Sequence, residues 1–445
     1  MACLGFLCVE GRGTTHALVI GEKLTQKSLS QASAADNSSS SGYSSLVPLV
    51  GRGYLPLAFF ARLPLAMLTI GSMTLFTAST GSYALGGLSA AMVGLGSAVG
   101  GPTIGYVADR IGQRKVLLTA ALLHTLMLAV LTWYGSRGDA VTVAALVAVS
   151  LLTGATGPQV GPMSRVRWIS MTRARGLRPK VLGAALGLES MLDELGFVLG
   201  PVAVGFLASA LNPALPLIIA AVLTIILVPI FGLHSTERSV IPSPKDSRHA
   251  KATKVQVAAI SAMVLGMIGL GTVFGSSAAG TLAFAGAMGD SNRGGMLYGA
   301  VGLSSAIAAI SVAMWPAAFR HTSRWIASAS FLALTSLLLQ LPQSTGFMLA
   351  MLFLVGFGVG PIIVVVMTLG GEVAPAGRLS TVMTMLSAGI VVGTAIGNGL
   401  AGLLAESMGY SGAFWVCTGA AVVIALAAMF MKMLVARSEQ LANVR

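Results

Sequence analysis

Residues 83–134 read YALGGLSAAMVGLGSAVGGPTIGYVADRIGQRKVLLTAALLHTLMLAVLTWY. An apolar block at 83–107 and another at 116–134 flank a short charged hinge, Asp109-Arg110-Ile111-Gly112-Gln113-Arg114-Lys115. Each block has the length a helix needs to cross the hydrocarbon of a bilayer, about 20 residues. Neither shows the two-residue alternation of a membrane strand. The chain therefore crosses, turns in water and crosses back.

The same alternation covers most of the 445 residues. Apolar blocks lie at 54–78, 83–107, 116–134, 141–162, 182–209, 213–232, 256–284, 295–317, 325–341, 347–369, 379–405 and 412–435, numbered here spans 1 to 12. Only 9% of residues are charged, against roughly 25% in soluble domains, so a water-soluble surface cannot be covered. With 55% hydrophobic residues and mean hydropathy +0.86, the expected fold is an all-α integral membrane protein of twelve transmembrane helices. The 55 glycines suit helices that pack closely in lipid.

A net charge of +13 suggests nucleic acid only where bases form a surface stripe. Here they report sidedness. With the N-terminus inside, every Lys and Arg except Arg62, Arg137 and Arg293 falls in the tails or at the inner ends of the blocks. The connection after span 4 is the most basic, with Arg165, Arg167, Arg173, Arg175, Arg178 and Lys180. This topology, with both termini cytoplasmic, and the Ala- and Gly-rich composition fit a plasma (inner) membrane. All five tryptophans, Trp133, Trp168, Trp315, Trp325 and Trp415, fall near expected helix ends, where amphipathic rings prefer to sit. Cys3, Cys8 and Cys417 have neither metal nor disulfide spacing, and Cys417 reads as a small packing residue.

Residues 1–52, Ser- and Ala-rich from Ser28 to Ser45, read as a disordered cytoplasmic tail. A polar, basic linker at 234–254 divides a six-helix half at 53–233 from another at 255–436, with a short tail at 437–445. The halves repeat. Gly196, Gly200 and Gly205 of span 5 recur as Gly393, Gly397 and Gly402 of span 11, and Gly157-Pro158 of span 4 recurs as Gly360-Pro361 of span 10. Two such halves make a transporter architecture with a site at their interface near the midplane.

The hinge from Gly105 to Lys115 resembles the signature loop between helices 2 and 3 of the major facilitator superfamily, Gly-x-x-x-Asp-Arg-x-Gly-Arg-Arg/Lys, with Gln113 replacing one base. Gly105 permits close helix approach and Gly112 a tight turn. Asp109 can cap a neighbouring helix N-terminus, and Arg110, Arg114 and Lys115 hold the loop inside. The resemblance implies a latch between the halves acting through span 11; the plainer reading is a basic turn that fixes topology. In span 5, Gly187, Gly196, Gly200, Pro201 and Gly205 resemble the proton-coupled antiporter motif of the same superfamily, with Val204 in place of a glycine. The plainer reading there is a small-residue packing face. Family exporters often carry an Arg in helix 4, four residues before a Gly; here Thr153 occupies that position.

Ionisable residues inside a bilayer cost about 2.5–3.5 kcal/mol each and are functional candidates. Span 5 holds Glu189, Asp193 and Glu194. Glu189, Asp193, Gly196 and Gly200 fall within about 60° of one face, and Glu194 points about 100° away from Asp193. Carboxylates four residues apart repel when both are ionised, which makes these acids proton-coupling candidates, Asp193 first. Arg62 reads as the only base within the membrane: it neutralises an acid or binds an anionic substrate group. A structural ion pair is the plainer alternative. Asp290, Glu372 and Glu406 fall in connections, and a lone His124 reads as structural.

The expected function is proton-coupled efflux of a small organic molecule by alternating access, with an uptake symporter or facilitator as the alternative. A membrane-embedded enzyme or sensor needs a polar catalytic cluster or an added soluble domain, and neither is visible. The expected partners are substrate, protons and membrane lipid, with no nucleic acid, no cofactor and no metal, and the chain is expected to act as a monomer. A single cysteine introduced beside Arg173 should react with a non-permeant reagent only from the inner side; labelling from outside would overturn the topology.

Overall fold

The computed structural model describes residues 45–242, 252–289, 293–316 and 318–443. Among them, twelve helical segments are long and apolar enough to cross a membrane. Spans 1 to 6 are Tyr54–Thr80, Leu85–Ile111, Gln113–Gly135, Val143–Ala174, Pro179–Ala210 and Leu215–Leu233. Spans 7 to 12 are Lys254–Ala287, Leu297–Met314, His321–Gln340, Thr345–Val373, Leu379–Ala405 and Tyr410–Val435. No strand occurs among the described residues. An even number of crossings puts the start of span 1 and the end of span 12 on one face, here called the basic face because the 109–115 hinge lies on it.

The halves pack alike. Span 1 lies against spans 2, 5 and 6, as span 7 lies against spans 8, 11 and 12, and spans 2 and 4 pair as spans 8 and 10 do. Two seams join the halves, span 2 with span 11 and span 5 with span 8, and a shift of six helices exchanges one for the other.

Glycine sets how tightly each half closes. A Cβ at Gly271, Gly275, Gly393 or Gly397 would run into the backbone of the facing helix, so spans 7 and 11 touch main chain to main chain. In the first half, Gly200 sits against the backbone of Ala66. A Cβ at Gly196 or Gly205 would meet nothing within 4 Å, so neither makes the close helix contact expected of it. Gly187 is buried.

Span 4 departs most from the expected block. It is two helices, Val143–Ala155 and Val160–Ala174, interrupted at 156–159. Pro158 has no N–H to continue the first helix, and Gln159 Nε2 bonds the Gly157 carbonyl in the gap at 2.9 Å. The second helix is buried along most of its length, and Arg165 and Arg167 are 1% and 0% exposed. These two arginines therefore do not lie in an inner loop, and Arg62 is not the only base within the membrane. Their charge ended the apolar run in sequence, while the fold buries it by pairing.

Two tryptophans also depart from expectation. Trp168 and Trp325 are wholly buried, Trp325 against Gly266, whereas Trp133 and Trp415 are exposed. The expected tail at 1–52 lies mostly outside the described residues, but 46–50 form a short helix with Leu46 and Val50 buried. That segment belongs to the packed body. Cys417 is buried beside Ser277.

Gly393→Val should destabilise the protein by about 1–3 kcal/mol, the usual cost of overpacking, and lower the melting temperature of purified protein. Gly402→Val, at a position with no neighbour within 4 Å, should leave it unchanged. Equal effects would show that the contact of spans 7 and 11 is not the tight one.

Candidate functional site

Span 5 presents Glu189 and Asp193, one turn apart, toward spans 1 and 4, and the acids find their cations there. Glu189 Oε2 accepts from Arg62 Nη2 at 2.6 Å. Its Oε1 accepts from Ser164 Oγ at 2.6 Å and from Trp168 Nε1 at 2.9 Å. Asp193 Oδ1 accepts from Arg62 Nη1 at 2.7 Å, and Oδ2 accepts from Arg165 Nη2. Arg62 is further fixed by donation from Nε to the Ala58 carbonyl at 2.9 Å. Asp193 packs on Gly161, where a Cβ would come within 3.3 Å of Oδ1.

The site is thus a chain of alternating charges, Glu189, Arg62, Asp193 and Arg165, contributed by spans 1, 4 and 5. Taking such charges out of water is tolerable only with a partner, and removing one member of a buried pair costs about 3–5 kcal/mol. Ser164 extends the network to Tyr54, whose hydroxyl lies 2.7 Å from Ser164 Oγ and whose ring meets Trp168 edge-on.

Glu194 stands apart, as its position on the helix predicts. It is 4% exposed and accepts from Ser305 Oγ of span 8 at 3.0 Å. No ion pair reaches it among the described residues. Adjacent residues of one helix therefore face different halves: Asp193 the cations of its own, Glu194 a hydroxyl of the other.

A third buried cation ties the basic face of the first half together. Arg167 donates to Gln113 Oε1 at 2.9 Å and to the Phe231 carbonyl at 2.8 Å, with its guanidinium 3.9 Å from the Phe231 ring centroid. Gln113 is itself buried. A base at 113 would set two cations face to face without water, which accounts for the departure of the hinge from the family pattern.

The hinge meets span 11. Asp109 Oδ1 accepts from the Ser380 amide at 2.8 Å, and Oδ2 accepts from the Thr381 amide at 2.8 Å and hydroxyl at 2.7 Å. These are among the first N–H groups of span 11, which have no partner within the helix. Gly105 lies against Thr384 and the Ser380 carbonyl, and Gly112 turns with φ +91°. Arg110 stacks on Tyr106 at 4.4 Å, while Arg114 and Lys115 are exposed. Arg173 donates to the Gly371 carbonyl of span 10. The halves are therefore joined at the basic face.

Sequence reasoning missed Arg165. Its signal was present: Gly161, Arg165, Trp168 and Thr172 recur at helical spacing after Pro158, a polar stripe continuing a helix beyond its apolar run. At Thr153, where family exporters often carry Arg, the carbonyl lies 3.0 Å from His124 Nδ1. Glu372 is exposed, with His321 Nδ1 at 3.1 Å; Asp290 lies outside the described residues.

Solved structures share this architecture. The human organic anion transporter MFSD10 (TETRAN) aligns over 85% of this chain and 99% of its own at 17% identity, with a TM-score of 0.62. A bacterial homologue of the iron transporter ferroportin, in its outward-facing state, aligns over 85% and 98% at 15% identity and a TM-score of 0.65. The same homologue with soaked iron gives a TM-score of 0.63. No curated protein matches the sequence closely enough to be compared. The Major Facilitator Superfamily model matches residues 55–345 and 294–444, nearly the whole membrane body, and the chain belongs to that superfamily.

Proposed function

We propose that this protein is a proton-coupled secondary transporter of a small organic molecule, working as a monomer by alternating access in a plasma membrane, with both termini cytoplasmic. A superfamily member with two packed six-helix halves is a multi-pass membrane transporter rather than an enzyme. Proton coupling is carried by one observation: Asp193 and Glu194 are adjacent, yet one faces two buried cations and the other faces the opposite half. A proton on either changes what holds the bundle in its present state, which is the differential interaction that a coupled transition needs.

The substrate does not follow from the fold. One neighbour is an organic anion transporter and another a homologue of an iron transporter, so the shared architecture does not select a cargo. Direction has two sources. The span 5 motif points to efflux by antiport, though Val204 stands where the motif has glycine. The geometry of Asp193, clasped by two arginines, favours the alternative, in which proton and substrate travel together. The second carries more weight because it rests on four placed charges.

The closed basic face supplies the alternating part. Asp109 holds the N-terminus of span 11, so releasing it frees the two halves to part at that face. Asp109→Ala should remove about 0.5–2 kcal/mol of capping and widen the distance between spin labels at Ile111 and Ala376; an unchanged distribution would show that Asp109 does not hold the halves. For coupling, compounds that raise the melting temperature of purified protein are carried forward to flux assays in vesicles. Asp193→Asn and Glu194→Gln should each weaken the response of flux to a pH gradient by at least about fivefold. Undiminished coupling in both variants would exclude these acids.

A further inference from the structure

We infer that Arg62 and Arg165 form a binding site for the acidic group of an organic anion, which takes the place of Asp193 when that carboxylate accepts a proton, so that anion and proton cross together. This rests on the proton-coupled reading above and adds to it the charge of the cargo and the sense of the coupling.

The geometry is that of a covered site. Two guanidiniums converge on one carboxylate, Arg62 on Oδ1 at 2.7 Å and Arg165 on Oδ2. The arginine side chains are only 6% and 1% exposed, whereas that of Asp193 keeps 24% of its surface accessible. The carboxylate is thus the reachable cover over two unreachable cations. Arg165 also has donor capacity to spare. Its Nη2 bonds Asp193, while its Nε is buried without any hydrogen-bond partner. Nε and Nη2 are the two prongs of the side-on fork that grips oxyanions in bidentate fashion. One prong is taken and the other is empty. Every nitrogen of Arg62, by contrast, has a partner: Nε goes to Ala58, Nη2 to Glu189, and Nη1 to Asp193 and the Glu189 carbonyl.

Charge accounting gives the coupling. With Asp193 ionised, Arg62 and Arg165 are balanced by Asp193 and Glu189. With a proton on Asp193, the pair keeps one uncompensated positive charge in a buried place, and a buried unpaired charge is costly. An external oxyanion restores the balance. The other titratable and charged groups around Asp193 do not. Span 1 offers Arg62, span 4 offers Arg165, span 5 itself offers Glu189 and Glu194, and span 8 offers Tyr298 within electrostatic reach of Glu194. An organic cation would have to displace two arginines from Asp193 while facing both. Linkage then fixes the direction: if a proton on Asp193 tightens anion binding, the anion tightens proton binding equally. The two ligands load together.

The test uses benzenesulfonate, a permanent anion that does not cross bilayers as a neutral acid, with benzenesulfonamide and benzylammonium as neutral and cationic matches. Full-length purified protein in weakly buffered solution should take up about one proton per benzenesulfonate bound, by the linkage above. Neither match should bind comparably. Asp193→Asn should bind benzenesulfonate about tenfold more tightly at neutral pH and take up no proton. The pair Arg165→Gln with Asp193→Asn, which removes one charge of each sign, should lose that gain. No proton uptake by the wild type, no gain in Asp193→Asn, or preference for benzylammonium would overturn the site; the first of these needs no variant to fold. Proteoliposomes separate this site from the reading beneath it. If a pH gradient drives no benzenesulfonate flux while binding still takes up a proton, coupled transport fails and the site stands. If a pH gradient drives flux while Asp193→Asn binds no tighter, the site fails and coupled transport stands.

Discussion

Four charges cannot be left alone inside a bilayer, and the way they are paired organises the first half of this protein. Arg62, Arg165, Glu189 and Asp193 come from three spans, and each would cost several kcal/mol unpaired in the membrane. Two acids one turn apart on span 5 need cations at matching depth on two other helices. Span 1 supplies one within its third turn. Span 4 supplies the other only because Pro158 interrupts it and the chain resumes as a second helix. Ion pairing therefore helps fix the register of spans 1, 4 and 5, in addition to the close packing and hydrogen bonds that associate membrane helices generally.

The second half solves the equivalent problem without charge. Where spans 1 and 5 meet across the ion pairs, spans 7 and 11 meet through Gly271, Gly275, Gly393 and Gly397, backbone against backbone. The internal repeat conserves part of this packing: Gly393 and Gly397 are buried in a tight contact, and of their counterparts Gly200 meets the backbone of Ala66. The first half adds to such packing the four charges of Arg62, Arg165, Glu189 and Asp193. Span 11, held firmly by span 7, offers its N-terminus to Asp109, and span 8 offers Ser305 to Glu194.

The architecture was legible because length and apolarity are sufficient to mark a crossing helix, and the basic connections mark their order. All twelve spans overlap the expected apolar blocks, span 4 running on to Ala174, and the stretch from Gly105 to Lys115 joins spans 2 and 3 at Gly112, its other residues lying within the two helices. The candidate acids and Arg62 were legible because a charge within an apolar block is conspicuous. Arg165 and Arg167 were not, for the opposite reason: they follow the block, and charge at the end of an apolar run looks like a loop. Only the partners, Asp193 for one and Gln113 with Phe231 for the other, make those positions part of the interior. Trp168 was misjudged in the same way, since its place near an apparent helix end disguised a donor to Glu189.

Sequence alone put Asp193 ahead of Glu189 only as the deeper of two carboxylates on one face. Their surroundings separate them. Glu189 accepts three donors, two of them uncharged and local to span 4, and it has no exposed surface. Donors from spans 1 and 4 thus hold Glu189 on both of its oxygens. Asp193 accepts only from cations, and Arg62, once released, still has Glu189. A proton on Asp193 therefore disrupts less of the frame while freeing more positive charge. In the binding site proposed here, one carboxylate holds the helices and the other lets go, and this division matters more than the number of acids in span 5.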